Sequence, residues 1–539
     1  MNTATTPVLI VGGGPVGLAL AIELGWRGVA CTLIEQGDGR ITMPKMNEVN
    51  TRTMEFCRRW GISDEVRNCP FPQDYAMDVV AVTRLGAHEL GRVERPARRH
   101  QRPGVHSPEN LQVCPQHWFD PILAARVRSF SNVRLLYGHK LNAYEVLNGG
   151  IRADITDAAT GAHLSLDARY LVGCDGAGSS VRHAAGIRMV GRDTLSNSMH
   201  LFFRAPGLLD AMGVKTGTFF TLVDDQGLWG NLRIIDPAQD LWRLLFDVPE
   251  DFDTRNVDRE AWLRRAIARP VSVEWTHTSH WTRRGVVADR LSNGLVFIAG
   301  DAAHQVSPTG ALGMNTGIAD AVDLGWKLAA VTSGWGGSHL LDTYDEERRP
   351  AGARNMRMST EYYEGQAQFD EGLDAITADS IKGEDARRRI GPQVMAHVSR
   401  VFRTLGLQIG YRYEGSSICV GDGSPLPSDD PGEYLPIARP GARAPHVALN
   451  DGRSTLDLFG KGFVLLRLGA GAPDGQALVD AAVARGVPLE RAALAEPEVL
   501  RIYERALVLV RPDGHVAWRG DELPNDCFQL IDTVRGAHG

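Results

Sequence analysis

The sequence predicts an α/β fold in which a parallel-sheet domain is interleaved with an antiparallel-sheet domain and followed by a smaller α/β domain. Three patterns indicate this layout. An apolar run, Pro7–Val11, leads through a glycine-rich turn into a helical pattern. Short alternating runs fill residues 190–285, and strand and helix patterns alternate again from about residue 442. The chain of 539 residues is long enough for two or three domains.

The composition excludes several classes of protein. A formal net charge of −7 is not the basic balance that nucleic-acid binding requires. Residues 1–7 hold no Lys or Arg, and no run of about 20 apolar residues predicts a transmembrane helix. The cysteine count of 7 is odd and includes no CxxC pair, which argues against disulfides and a cysteine zinc site. We expect a cytoplasmic protein that binds no metal, nucleic acid or membrane, and the sequence leaves a homodimer open.

The glycine-rich turn has the spacing GxGxxG between a predicted strand and a predicted helix. In a dinucleotide-binding βαβ (Rossmann) unit such glycines allow a tight turn, close approach of the backbone to a pyrophosphate and close helix packing. The acid that ends the next predicted strand can accept both ribose hydroxyls but would repel a 2′-phosphate. The pattern predicts bound FAD or NAD rather than NADP. The expected contacts are Gly12, Gly14, Pro15, Val16, Gly17 and Glu35.

Two further motifs follow predicted strands. A DG pair comes after Tyr170–Val172, and a GD pair comes after the run Leu295–Ala299. A carboxylate at the C-terminal end of a strand can hold a ribityl hydroxyl, and a following helix can direct its positive N-terminus at a flavin. The order of the motifs therefore favours FAD. The expected contacts are Asp175, Gly176, Gly300, Asp301, Gly313, Met314 and Asn315.

The order GxGxxG, DG, GD resembles the class A flavin monooxygenases typified by p-hydroxybenzoate hydroxylase and phenol hydroxylase, over roughly residues 7–360. Asn50–Glu55 is similar to the helix whose arginine meets the FAD pyrophosphate, and Glu347–Pro350 matches the close of the catalytic region. Gln36 and Lys45 stand where the family often has arginine. The resemblance implies further FAD contacts at Gln36, Lys45, Arg52, Gln116 and Arg243.

The resemblance implies an FAD-dependent monooxygenase that uses NADPH or NADH and O2 to hydroxylate an aromatic, phenolic substrate through C4a-hydroperoxyflavin. Pro308 would pack near the flavin and the substrate. His304 is a candidate base for phenol deprotonation, although its place after GDAA also suits a structural role. The candidate pocket residues on predicted strands are Phe219, Trp229 and Arg233.

The flavin motifs leave the reaction outcome open. Baeyer–Villiger oxidation, epoxidation or antibiotic-inactivating hydroxylation of a larger polycyclic substrate would use the same residues. Outside the enzymes, the alternative is a non-catalytic dinucleotide-fold binding protein. The presence of Glu35, Arg52, Asp175 and Asp301 disfavours that alternative, because binding proteins on this scaffold have usually lost the cofactor contacts.

The C-terminal part resembles the thioredoxin-like domain of the phenol hydroxylase and 3-hydroxyphenylpropionate hydroxylase branch. It has no CxxC, so a dithiol redox role is not available to it. The expected domains are an FAD-binding domain at 1–189 with a β insertion at about 72–105, a substrate-binding β-sheet domain at 190–285, a second part of the FAD-binding domain at 286–365, a helical segment and linker at 366–440, and a thioredoxin-like domain at 441–539.

Overall fold

The structure is a computed structural model that describes residues 4–366 and 372–538. In chain order its strands are β1 (Ala4–Val11), β2 (Cys31–Glu35), β3 (Glu48–Val49), β4 (Val79–Val82), β5 (Glu89–Val93), β6 (Gln112–Val113), β7 (Val133–Tyr137), β8 (His139–Leu147), β9 (Gly150–Asp157), β10 (His163–Gly173), β11 (Met189–Arg204), β12 (Phe219–Asp224), β13 (Gly227–Asp236), β14 (Leu241–Val248), β15 (Glu274–Ala288), β16 (Ser292–Asn293), β17 (Val296–Ile298), β18 (His304–Gln305), β19 (Phe463–Leu468), β20 (Leu489–Leu494), β21 (Leu507–Val510) and β22 (Val516–Gly520).

The α-helices are α1 (Pro15–Trp26), α2 (Thr51–Arg59), α3 (Ser63–Arg67), α4 (Gln116–Arg128), α5 (Ser180–Ala184), α6 (Leu208–Met212), α7 (Arg259–Ala266), α8 (Gly313–Thr332), α9 (Thr343–Glu364), α10 (Ile381–Phe402), α11 (Leu405–Ile409), α12 (Gln476–Ala484), α13 (Pro497–Tyr503) and α14 (Cys527–Val534). In the described part of the chain, none of these helices is both long and apolar enough to cross a membrane.

The first sheet has the strand order β16-β17-β10-β1-β2-β7, with β9 and β8 extending from β10. Strand β1 lies parallel to β2 and β10, and β10 lies parallel to β17. The side chains of Val8, Leu9 and Ile10 are fully buried, as expected for a parallel strand that is covered on both faces. Because β1, β2, β10 and β17 point the same way, the turns that follow them meet at one edge of the sheet.

The second sheet has the order β18-β15-β11-β14-β13-β12-β4-β5. Its pairs are antiparallel except for β12 and β4, which are parallel. The sheet therefore extends beyond residues 190–285, the segment in which the alternating sequence pattern predicted the β-sheet domain. Long-range pairing adds β4 and β5 at one edge and β18 at the other, and the two-residue strand β18 is too short to give a sequence pattern.

Helix α2 contains all but the first residue of Asn50–Glu55, the segment that resembles the family's pyrophosphate-binding helix. It begins at Thr51 because the Asn50 side chain caps it, accepting a hydrogen bond from Thr53 N at 2.9 Å. The preceding residues Glu48 and Val49 pair with β6 as strand β3. The chain thus enters α2 from a strand, and this places Glu48 beside the second sheet.

The C-terminal sheet has the order β20-β19-β21-β22, with β19 parallel to β20 and antiparallel to β21. Helices α12 and α14 pack together beside this sheet, which is a mixed-sheet arrangement of the thioredoxin-like kind. The predicted hairpin turn is present between β21 and β22, with Gly514 at φ +86°. The segment 415–445, which includes the end of the helical segment and linker predicted at 366–440, contains no helix or strand but buries Ile418, Ala438 and Ala444 against neighbouring elements.

Candidate active site

The first turn at the sheet edge requires glycine at two positions. Gly12 has φ +108°, and a Cβ atom there would lie 2.3 Å from the carbonyl oxygen of Cys174. A Cβ atom at Gly17 would lie 2.0 Å from the carbonyl oxygen of Gly12. These glycines therefore let β1, β10 and α1 pack together, and the predicted roles of a tight turn and close helix packing hold for both.

Gly14 differs from the other two glycines because space is open beside it. A Cβ atom at Gly14 would meet no atom within 4 Å. Gly14 is the N-cap of α1, makes no side-chain cap and is followed by Pro15 at the first helical position. The uncapped amides of the first turn thus face an open space that fits a diphosphate. The side chain of Val16 lies against Gly300, so it packs the first turn onto the GD turn.

The carboxylate of Glu35 is fixed by backbone amides at the end of β2. Its two oxygens accept hydrogen bonds from Gly13 N and Gly37 N, both at 2.7 Å. Each oxygen keeps a free lone pair, so the residue fits the predicted contact with ribose hydroxyls. The neighbouring Gln36 is exposed.

A second group of residues stands on the loop before α2 and on α4. The amide of Lys45 donates to Gln116 Oε1 at 3.1 Å, and Gln116 Nε2 donates to Asp120 at 3.0 Å. Asp120 is 3% exposed, and burial raises its pKa to about 7. The Lys45 side chain is exposed and lies near Asp301.

Asp301 directly follows Gly300, whose φ of +64° turns the chain at the end of β17. Burial raises the pKa of the Asp301 carboxyl above its ordinary value, against the opposing charges of His304 and Lys45. The side chain is nevertheless open to solvent within the cleft. An open carboxylate set among protein atoms fits the predicted contact with a ribityl hydroxyl.

Asp175 does not have this arrangement. Its carboxylate accepts hydrogen bonds from Ser179 Oγ at 2.5 Å, Ser180 Oγ at 3.1 Å and Val181 N at 3.2 Å. It therefore serves the N-terminus of α5, because the adjacent serines fold back onto it. Oδ1 of Asp175 accepts only one of these hydrogen bonds and keeps a free lone pair, so the ribityl contact stays a prediction for a carboxylate that is already oriented by its neighbours. Gly176, at φ +80°, provides the turn.

Arg52 departs from its predicted role at the pyrophosphate. It is 5% exposed, pairs with Glu55 at 2.8 Å and donates to the Asp513 carbonyl at 3.0 Å. Its guanidinium lies 4.5 Å from the Phe56 ring. The Arg52 side chain thus points to the C-terminal domain. The residues around Arg52 in sequence could not predict that the Asp513 carbonyl group would be its acceptor.

Asn315, near the start of α8, ties three segments together. Its Oδ1 accepts from Asn50 N at 3.0 Å and Thr53 Oγ1 at 2.7 Å. Its Nδ2 donates to the carbonyl groups of Glu48 at 3.1 Å and Ala311 at 2.9 Å. All four hydrogen-bond positions of the amide are used inside the protein, so the side chain is not free to hold FAD.

The start of α8 still offers backbone groups to a flavin. Helix α8 begins at Gly313 with Leu312 as an N-cap that makes no side-chain hydrogen bond, and Met314 is half-buried. Its first amides are therefore uncapped, and the positive end of this helix fits the electron-rich edge of a flavin. Ala311 precedes them at φ +54°, a left-handed conformation that costs about 1 kcal/mol for a residue other than glycine.

His304 is sealed inside the protein rather than open to a substrate. The side chain is fully buried, and Nε2 lies 2.7 Å from Asp320. Asp320 also accepts from Gly300 N at 3.2 Å and Arg348 Nε at 2.8 Å. Burial alone would raise the pKa of Asp320, but His304 and Arg348 hold it below its ordinary value. This geometry supports the structural role for His304, holding the GD turn, and not that of a base.

Pro308 is the exposed residue of the loop between β18 and α8. Its neighbours Ser307 and Thr309 are both bound by Arg283, through Nη1 at 2.8 Å and 3.4 Å. Arg283 belongs to β15 of the second sheet. The loop that carries Pro308 is thus attached to the sheet on which the substrate residues were predicted.

One row of the second sheet contains two of the predicted substrate residues, Phe219 and Arg233, beside Arg243, which was predicted as an FAD contact. Phe219, Arg233, Arg243 and Phe202 are opposed in turn across β12, β13, β14 and β11. Arg233 pairs with Glu48 at 2.9 Å, and its guanidinium lies 5.8 Å from the Phe219 ring.

Phe219 and Trp229 contact protein rather than an open pocket. The Phe219 ring meets Phe402 of α10 edge-on. The Trp229 ring packs on Trp262 and lies 4.3 Å from the guanidinium of Arg265, both on α7. The prediction that Trp229 lines the pocket is therefore not supported, because α7 covers that side of β13.

Arg243 has no comparable partner. It is 9% exposed, its Nη2 reaches only Asn231 Oδ1 at 3.4 Å, and its Nε has no hydrogen bond within the described residues. Burial, with the charges of Arg233 and Arg283, lowers the pKa of Arg243 to about 9. A buried cation in this state favours an anion beside it.

His200 adds a neutral polar group to the same face, because it stands two residues from Phe202. Burial and the charges of Arg243 and Arg283 lower its pKa to about 3. Its Nε2 makes no hydrogen bond to any residue described. Sequence reasoning missed His200, Asn231 and Arg283. Asn231 stands two residues before Arg233 on a predicted strand, and this spacing could have indicated that the two side chains share one face of the sheet. No comparable spacing in the sequence links Arg283 to the predicted pocket residues.

Comparison with known proteins places matches along nearly the whole chain. Residues 5–359 match the family model described as an FAD binding domain, and residues 438–536 match that of the aromatic-ring hydroxylase C-terminal domain. Tetracenomycin B2 monooxygenase-dioxygenase of Streptomyces olivaceus is 32% identical to this chain, and the alignment covers 99% of this chain and 98% of that enzyme. 2,4-Dichlorophenol 6-monooxygenase of Cupriavidus pinatubonensis is 30% identical, covering 99% and 96%.

The solved structures include one with higher identity. Chromopyrrolic acid-soaked RebC with bound 7-carboxy-K252c is 41% identical and superposes with a TM-score of 0.92, covering 99% of this chain and 100% of RebC. The ternary complex of aklavinone-11 hydroxylase with FAD and aklavinone is 28% identical, with a TM-score of 0.81, and covers 99% of this chain and 100% of that one.

Proposed function

This chain belongs to the family of FAD-dependent aromatic-ring monooxygenases, and we propose that it oxidises a polycyclic aromatic substrate that carries a carboxylate. The family match confirms the predicted cofactor and enzyme class. The observation that carries the proposal for the substrate is Arg243, a buried guanidinium that pairs with no carboxylate of residues 4–366 and 372–538. An aromatic carboxylate bound there would supply both the missing charge and the missing acceptors.

The charges around Arg243 support an anion rather than a neutral group. Arg233 is neutralised by Glu48 at 2.9 Å, and Arg283 has Asp247 at 3.5 Å. Arg243 therefore carries the cationic excess of this face. A carboxylate accepts two parallel hydrogen bonds from a guanidinium, and each charge-assisted bond contributes roughly 1.5–3 kcal/mol.

The description of one solved relative supports an acidic ligand. RebC is described with a bound carboxy compound after soaking in an acid, and its structure covers this chain almost completely. We extend from RebC to this chain only the chemical class of an acidic ligand.

The FAD-binding groups of this chain are the uncapped first turns of α1 and α8 and the side chains of Glu35, Lys45, Gln116 and Asp301. When bound, FAD supplies the oxygen-activating chemistry, with electrons from NADPH or NADH and oxygen from O2. The protein's own part is to orient the aromatic ring and to exclude water. Arg243 fixes the acidic end of the substrate, and the Pro308 loop borders the reacting end.

Turnover with matched acids and amides tests this proposal. FAD-loaded protein is supplied with NADPH or NADH and with phenolic acids such as 6-hydroxy-2-naphthoate and a hydroxyanthracene-2-carboxylate, or with the corresponding amides. We expect the acids to accelerate nicotinamide oxidation and to gain one oxygen atom by mass, and the amides to be at least about tenfold less effective. Equal turnover of acids and amides would contradict the anion site, and oxidation with hydrogen peroxide as sole product would contradict the substrate class.

A further inference from the structure

Arg283 connects the substrate sheet to the loop that carries Pro308. The side chain is 4% exposed. Its Nε donates to Ser196 Oγ on β11 at 3.2 Å, while Nη1 donates to Ser307 Oγ at 2.8 Å and to Thr309 Oγ1 at 3.4 Å. One rigid, planar guanidinium thus joins Ser196, which is 87 residues away in sequence, to Ser307 and Thr309, which are 24 and 26 residues away.

The other side of the Arg283 guanidinium is fixed by an acid and a ring. Nη2 lies 3.5 Å from Asp247, and the Tyr363 ring lies 4.2 Å from the guanidinium carbon. The Asp247 carboxylate is itself held by Ser198 Oγ at 2.5 Å and Tyr363 Oη at 2.7 Å. Asp247 stands four residues after Arg243 on β14, so both side chains lie on the same face.

Asp247, which lies 3.5 Å from Arg283, is on the same face of β14 as Arg243, so Arg283 and Arg243 border one polar region of the sheet. Burial and the charge of Arg233, and after them that of Arg283, lower the Arg243 pKa. Asp247 offsets the repulsion between the two cations only in part, because it contacts Arg283 and makes no ion pair with Arg243. A carboxylate at Arg243 removes much of this repulsion and thereby stabilises Arg283 in the position from which it holds Ser307 and Thr309. By linkage, a held loop must also favour the bound anion.

We propose that Arg283 is a positioning residue that transmits the charge of a bound substrate to the flavin-side loop Ser307–Thr309. This inference rests on the proposed function, because it needs an anion at Arg243. It goes further by giving the substrate carboxylate a second role. The carboxylate anchors the ring and also sets the position of the loop that carries Pro308.

The test separates binding from transmission. In FAD-loaded protein, the affinity for 2-naphthoate is measured by calorimetry, and the change in the flavin absorbance spectrum is measured at saturation. The variant S307A/T309A removes the loop acceptors and keeps every arginine. The matched control S196A removes an acceptor of the same guanidinium on the sheet side. Flavin content and thermal unfolding verify that each variant is folded and loaded.

We expect S307A/T309A to bind 2-naphthoate within about threefold of the wild-type affinity and to lose most of the spectral change. S196A should keep both the wild-type affinity for 2-naphthoate and the spectral change. A full spectral change in S307A/T309A, an equal loss in S196A, or wild-type binding without a spectral change would overturn the role of Arg283 and leave the anion site intact. No binding of 2-naphthoate by the wild type would instead overturn the proposed acidic substrate, and this inference with it.

Discussion

Arg233 of β13 and Arg243 of β14 are directly opposed across two antiparallel strands. Like charges in this position destabilise a sheet, and only Arg233 is compensated, by Glu48 at 2.9 Å. The protein therefore holds an unfavourable cation in a buried site that a ligand can relieve. Uncompensated polar groups of this kind are expected at functional sites, where local stability is given up for binding.

The three glycines of the first turn should respond differently to substitution. Gly14 has φ −74° and open space beside it, so Gly14→Val should fold at a cost of about 1 kcal/mol but fail to retain FAD. Gly17→Val places atoms against the Gly12 carbonyl and should destabilise the fold itself by more than about 4 kcal/mol. Extracted flavin and thermal unfolding of each variant distinguish the two cases. A yellow Gly14→Val protein would contradict the diphosphate assignment.

The stability of the protein should depend on pH through Asp120. Burial raises its pKa to about 7, so the folded state binds this proton more tightly than the unfolded chain does. The protonated Asp120 carboxyl stabilises the folded state fully at pH values below the ordinary pKa of an aspartic acid. This stabilisation is lost as the pH rises through the folded-state pKa of about 7. Asp120→Asn mimics the protonated form and should be more stable than wild type at pH 8, by on the order of 2–4 kcal/mol, with the difference vanishing towards pH 4.

Unfolding by urea at several pH values measures this difference. The exposed Asp193 of β11 provides the control, because Asp193→Asn should change stability by no more than about 0.5 kcal/mol at any pH. A stability difference for Asp120→Asn that is the same at pH 5 and pH 8 would refute the burial of a titrating carboxyl.

The C-terminal domain is held to the FAD-binding domain by a buried charge cluster. Arg511 contacts Glu347 at 2.5 Å, Asp323 at 3.2 Å and Asp513 at 2.8 Å, and Lys327 joins Asp323 at 2.8 Å. Removal of one partner leaves buried charges uncompensated. We expect Arg511→Met to destabilise the protein by about 3–5 kcal/mol in thermal or urea unfolding.

A surface pair provides the comparison for that variant. Arg501 pairs with Glu498 within α13, and both side chains are largely exposed. Arg501→Met should therefore cost about 0.5 kcal/mol or less. Similar losses in the two variants would mean that the Arg511 cluster contributes no more than an ordinary surface contact.

The local part of the cofactor site could be predicted from the sequence. Gly12, Gly14, Gly17 and the acid Glu35 all belong to one βαβ unit, in which Gly17 packs on Gly12 and Glu35 accepts from Gly13, although Gly12 also packs against Cys174 after β10. Gly300 and Asp301 follow the same logic, because a turn after a parallel strand must reach the common edge. Such features depend on neighbours in sequence, and sequence patterns record them well.

The remaining features depend on partners distant in sequence. Arg52 turns to the carbonyl of Asp513, which is 461 residues away, and Arg233 finds Glu48 across 185 residues. Asp175 was correctly placed at a strand end, but its serine neighbours engage it. A pattern gives the position of a side chain along a strand and not the acceptor that tertiary packing brings to it.

The central claim is that Arg243 binds a carboxylate of the aromatic substrate, and ligand binding to one variant tests it most directly. The affinities of wild-type protein and Arg243→Gln for 2-naphthoate and for 2-naphthamide are measured by calorimetry on FAD-loaded protein. We predict that the variant loses about 10- to 100-fold in affinity for the acid and less than about threefold for the amide. An equal loss for both ligands, or no loss for the acid, would contradict the claim.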